Sequence, residues 1–167
     1  MDEAARTEPP LAGDERATLT GFLQWQRETF AWKCGGLTAE QLRERNVPPS
    51  NLSLLGLVRH LAEVERGWFR MALRGEDIGF RWKRDRGDDS PFEVDDADPD
   101  EAFAAWAEEC ALAREIVDAT ESLGTTTGFR GEVYSLRWIL THMIEEYARH
   151  NGHADLIRER IDGATGE

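Results

Sequence analysis

From Ser135 to about Ile161 the chain carries a helical repeat of apolar residues with a few polar ones set into it. Each residue of an α-helix advances about 100° around the axis. With Met143 as origin, Leu136, Ile139, Tyr147, Ala154, Ile157 and Ile161 all fall within about 40° of it. That stripe must be buried, so the rest of the chain has to supply elements to cover it. His150 lies about 20° from the stripe's centre and Glu146 about 60°, on one side. His153 and His142 lie further round on that side, at about 80° and 100°.

The remaining sequence supplies three more long helices. From Asp14, the residues Leu19, Phe22, Leu23, Gln26 and Phe30 recur at helical spacing, and Gly35-Gly36 stops the pattern. Thr38 with Gln41 reads as a capping box for a short helix ended by Pro48-Pro49. A second long helix starts at Ser53 with the stripe Leu54, Leu57, Val58, Leu61, Val64, Trp68 and Met71, and stops by Gly75. The segment 75–98, rich in Asp, Gly and Pro, is a long connection for a compact domain. Asp98-Pro99 opens a third helix marked by Phe103, Trp106, Cys110, Ala113 and Val117. Residues 124–133 read as turn, with no strong strand pattern, and Ser135 caps the fourth helix. A chain of 167 residues supports one core. The expectation is an all-α four-helix bundle in up-down-down-up order, with the long crossover joining parallel helices two and three. Residues 1–13 and 163–167 are expected as flexible tails around a domain at 14–162.

Charge narrows the function classes. Lys+Arg is 20 against Asp+Glu 33, a net charge of −13. Phosphate backbones repel such a chain, so nucleic-acid binding is not expected. It has no basic amphipathic face and no apolar run of membrane length, so no membrane partner is expected. The N-terminal residues have no signal-peptide pattern. The two cysteines, Cys34 and Cys110, form no paired motif, which predicts a reduced, cytoplasmic protein.

A carboxylate at the edge of a core must be paired, neutralised or bound to a cation. Glu146 and His150, four apart, stack on one helical face as two good metal ligands. On the second helix, with its stripe centred near Leu57, His60 lies about 60° off on the inner flank. Two imidazoles and a carboxylate make the three-ligand set of catalytic zinc and related sites with open positions. Plainer roles exist for each residue. His60 could be a hydrogen-bonded core histidine, Glu146 could pair with Arg149 or with an arginine on another helix, and His142 and His153 could lie behind the ligands or on the surface. Cys34, after Lys33 at a helix end, is a weak candidate nucleophile. Cys110 reads as core.

Leu57-Val-Arg-His60-Leu-Ala-Glu-Val-Glu and His142-Met-Ile-Glu-Glu146-Tyr-Ala-Arg-His150-Asn-Gly-His153-Ala-Asp-Leu-Ile-Arg-Glu159 resemble the DinB/YfiT-like superfamily of metal-binding four-helix bundles. The resemblance covers roughly residues 14–162 and is nearest to the branch containing the mycothiol-dependent maleylpyruvate isomerases. It implies His60, Glu146 and His150 as ligands of zinc or nickel, an up-down-down-up bundle and a homodimer. Those isomerases carry a further C-terminal domain without counterpart after helix four here. The resemblance therefore implies thiol chemistry more than maleylpyruvate isomerisation.

The expected function is a metal-dependent transferase, or an isomerase-like enzyme, using mycothiol or another low-molecular-weight thiol and an electrophilic small molecule. His142 and His153 would orient ligands or move protons. The alternatives are a metal-dependent hydrolase and a non-enzymatic, stress-associated metal-binding or scaffold protein.

Overall fold

The computed structural model describes residues 6–82 and 89–166. Residues 1–5 of the expected tail, 83–88 of the expected connection and 167 lie outside the described residues. The structure is mostly helical with one small two-stranded sheet, so an all-α class broadly fits. Among the described residues no helix is long and apolar enough to cross a membrane. Two compact units are distinguished.

The first unit, Met1–Leu54 with Leu140–Glu167, holds α1 (Glu15–Cys34), α2 (Ala39–Arg43) and most of α5 (Leu136–Asp162). Helix α1 starts where the Asp14 carboxylate accepts the Ala17 N–H at 2.8 Å. It ends at Gly35, and Gly36 turns the chain at φ 74°, where a side chain would be strained. The capping box of Thr38 and Gln41 forms at α2 as its sequence predicts. Arg158 of α5 donates Nη1 to the carbonyls of Lys33 and Gly35, both at 2.8 Å. A cation there satisfies carbonyls that the end of α1 leaves unpaired. Lys33 pairs with Asp155, and Asn151 donates to Gln26 through its backbone oxygen at 3.1 Å and Oε1 at 2.6 Å. Residues 6–10 lie along α1. The Arg6 guanidinium sits over the rings of Trp25 and Trp32 at 4.6 and 4.7 Å, and Thr7 N–H bonds to Glu28.

The second unit, Leu55–Ile139, holds α3 (Leu54–Glu65), a π-helical continuation Arg66–Leu73, a 3₁₀ turn Ser90–Phe92, α4 (Pro99–Ala119) and the hairpin of β1 (Thr126–Phe129) and β2 (Glu132–Ser135). The π-helical stretch departs from the expected α-helix to Gly75. Arg74 N–H bonds to Phe69 O, five residues back, at 3.0 Å. Widening the turn advances the buried face by one position. Phe69 and Ala72 are therefore fully buried, while Trp68 and Met71 are only half-buried. Trp68 instead meets Phe129, Tyr134 and Trp138, with ring centroids 5.9, 5.1 and 5.2 Å away.

That aromatic group rests on the hairpin, where the sequence suggested only turn. Thr126 pairs with Ser135 and Phe129 with Glu132. The two-residue loop Arg130-Gly131 has φ of 54° and 85°, the primed geometry that suits strand twist. Four-residue strands are too short for alternation to be read. Contacts from outside hold them, including Thr127 Oγ1 donating to Ala72 O at 2.7 Å. Helix α4 starts as predicted, with the Asp98 side chain accepting Asp100 N–H at 2.9 Å and Pro99 in the first turn. Its buried face includes Trp106, Cys110, Ala113 and Val117, with Phe103 half-buried.

Candidate metal centre

The stripe predicted for α5 is buried from end to end except at its last residue. Leu136, Ile139, Met143, Tyr147 and Ala154 are fully enclosed, Ile157 nearly so, and Ile161 is half-buried. Helical spacing thereby carries His150 inward, to 8 % exposure, while Glu146 stays half-buried one turn earlier. His150 Nε2 and Glu146 Oε1 are 3.5 Å apart. Two ligands about 2.1 Å from a tetrahedral ion stand about 3.4 Å from each other, so this spacing fits a shared cation. Arg149 offers its guanidinium to Glu145, with Nε 3.0 Å from Oε1. Glu146 also acts on Arg149, through its charge.

The other two histidines of α5 separate. His142 Nδ1 lies 3.7 Å from Glu145 Oε2, toward the outer side of the helix. His153 Nδ1 lies 3.3 Å from His150 Nδ1. Burial, then the charges of His150 and Arg149, hold the His153 pKa below its ordinary value.

On α3, His60 is half-buried and its ring stacks on Phe92 at 5.5 Å and 25°. Phe92 belongs to the 3₁₀ turn of the 75–98 connection, and sequence reasoning gave it no part. An aromatic within an irregular, charged stretch carries no periodic signal. Next to His60, Arg59 is buried, lies over the Trp82 ring at 4.9 Å and donates to the Glu93 carbonyl. Arg59 and Trp82 line a cleft of about 570 Å³ together with Glu93 and Glu101.

Within the first unit, Glu146 and His150 offer a carboxylate oxygen and an imidazole nitrogen at ligand spacing, and His60, the third residue of the expected ligand set, stands on α3 in the second unit. Two imidazole nitrogens and a carboxylate oxygen are a donor set that suits zinc, nickel or iron.

The cysteines have no part in such a centre. Cys34 is buried, and burial pushes its thiol up to about 12 despite nearby Arg158 and Lys33. A thiol so shifted is protonated and inert at neutral pH, which removes it as a nucleophile. Cys110 is buried beside Glu65, as expected of a core residue. Sequence reasoning also missed Glu109, a buried carboxylate on α4. It accepts from Arg66 at 2.7 Å, Arg81 at 3.1 Å and Arg70 at 3.2 Å. Its spacing from Trp106 and Ala113 puts it on the buried face, a signal that was available.

No curated protein and no solved structure matches the chain. The family described as Mycothiol-S-transferase matches residues 18–163, which takes in His60 and every histidine and glutamate of the α5 site. The chain belongs to the mycothiol-S-transferase family, a DinB-like family.

Proposed function

We propose that the protein is a metal-dependent S-transferase that joins mycothiol, or a similar low-molecular-weight thiol, to an electrophilic small molecule. His60, Glu146 and His150 are the ligands, zinc or nickel the cation. In this reading α1, α3, α4 and α5 are the four long helices of an up-down-down-up bundle, and the active species is a cytoplasmic homodimer. The single observation that carries the reading is an imidazole and a carboxylate at ligand spacing, 3.5 Å apart on α5, in a chain of this family.

The donor set explains why a thiol suits the site. One carboxylate and two neutral imidazoles offset only one of the two charges of a divalent cation. The charge left over favours the thiolate form of a small thiol over its neutral form. The sulfur lone pair then forms the new bond to an electrophilic carbon, and the bonding pair it displaces departs with the leaving group. Burial of His150 keeps its ring in place, and Phe92 does the same for His60 by stacking.

The test is a pair of titrations on the untagged protein. Zinc should bind the wild type at one site per chain and bind His60→Ala far more weakly. Mycothiol should raise the melting temperature of zinc-loaded wild type but not of His60→Ala. Stoichiometric zinc binding without any thiol effect, combined with ester or amide hydrolysis, would point to the hydrolase instead.

A further inference from the structure

His153 stands beside the ligand pair with no part yet in the proposed centre. Its Nδ1 is 3.3 Å from Nδ1 of His150, and the two rings meet edge to face at 64°. Two ring nitrogens at that distance share one proton, so one donates and the other accepts. His150 turns its other nitrogen, Nε2, toward Glu146 Oε1. An Nε2 that holds a cation must offer its lone pair, which places the proton of the neutral ring on Nδ1. The acceptor of that proton is His153 Nδ1, and His153 then carries its own proton on Nε2.

We infer that His153 is a positioning residue. By accepting the Nδ1 proton of His150, it holds that ring in the tautomer and orientation that present the Nε2 lone pair on the Glu146 side. The inference rests on the proposed metal centre and specifies how one ligand is prepared. In the reverse arrangement His153 donates, and the proton of His150 moves to Nε2, where it faces Glu146 and blocks a cation. The two rings hold two protons either way. Passing between the arrangements therefore changes no net charge and needs only proton exchange at the partly exposed ring of His153.

The test uses the full-length protein labelled with ¹⁵N and loaded with zinc, without thiol. Long-range ¹H–¹⁵N correlations identify which nitrogen of each ring is protonated, and competition with a chelator gives zinc affinity. In the wild type, His150 should be protonated on Nδ1 and His153 on Nε2. His153→Gln keeps an acceptor oxygen and should retain the His150 tautomer, with zinc affinity within a few-fold of wild type. His153→Leu removes the acceptor and should lower zinc affinity about 10–100-fold, with helical content unchanged. If His153→Leu does not fold, the wild-type and Gln spectra decide. Zinc on Nδ1 of His150, or wild-type zinc affinity in folded His153→Leu, overturns the inference. A wild type that binds no zinc overturns both the centre and the role of His153. Zinc binding as described with no response to thiol overturns only the transferase reading.

Discussion

Glu146 Oε1 and His150 Nε2 stand 3.5 Å apart across one turn of α5. The spacing follows from the helix, because residues four apart lie on one face, and the apolar stripe around Met143 decides which face. Replacing Glu146 by Gln preserves shape and removes the charge. Zinc affinity should fall by more than the about 10–100-fold that loss of a partner behind a ligand costs. Calorimetric zinc titration checks this, with circular dichroism confirming an intact fold. Unchanged affinity would make Glu146 a structural residue.

Cys34 gives a prediction of opposite kind. Its thiol stays protonated in the folded protein until about pH 12, against an ordinary value of 9.0. The unfolded chain gives up that proton first, so the contribution to stability is full below pH 9 and fades as pH rises toward 12. The span corresponds to about 4 kcal/mol at most. Urea unfolding of wild type and Cys34→Ala at pH 8 and pH 10.5 should show the wild type losing more stability than the variant. At pH 7.5, iodoacetamide should leave Cys34 of the native protein unmodified. Fast alkylation under native conditions would reopen a nucleophilic role.

Glu109 binds three guanidinium groups from a fully buried position. Truncating it to Ala leaves Arg66, Arg70 and Arg81 gathered around a gap, and the loss should be about 3–5 kcal/mol. Its neighbour Glu108 also pairs with Arg81, but its side chain is 56 % exposed. Water screens that pair, so Glu108→Ala should cost less than about 1 kcal/mol. Denaturant unfolding of the two variants side by side checks the contrast, and equal losses would contradict it.

The features legible in the sequence are those set by local rules. Asp14, Thr38 with Gln41, Asp98 with Pro99, and Ser135, whose hydroxyl accepts Trp138 N–H at 3.2 Å, mark helix starts because each caps within its own first turn. The phase of α5 placed Glu146 and His150 on one face, and the same reasoning put His60 on the flank of α3, where it is half-buried. Three features were not legible. The π-helical turn at Arg66–Leu73 moves burial from Trp68 to Phe69, and no residue there announces the wider turn. The hairpin at 126–135 is held by Trp68 and by Thr127 bonding to Ala72, partners from distant segments. The stack of Phe92 on His60 joins residues whose relation depends on how a long connection folds back, which no periodicity encodes.

The N-cap of α4 offers a calibration of the local rules. The Asp98 side chain satisfies Asp100 N–H at 2.9 Å. Asp98→Ala should cost about 1 kcal/mol of stability, and Asp98→Asn much less, because the amide oxygen still accepts. Thermal melts of the two variants check the order. An Asn variant as unstable as the Ala variant would contradict it.

In the proposed function His60, Glu146 and His150 hold a cation that serves a thiol. Cobalt(II)-substituted protein titrated with mycothiol tests it most directly, because the cation is then its own reporter. Saturating thiol should produce a new sulfur-to-cobalt absorption band in the near ultraviolet and release a proton, since the thiol binds in its ionised form. His60→Ala should abolish both signals together. A cobalt spectrum that mycothiol leaves unchanged in the wild type would contradict the account.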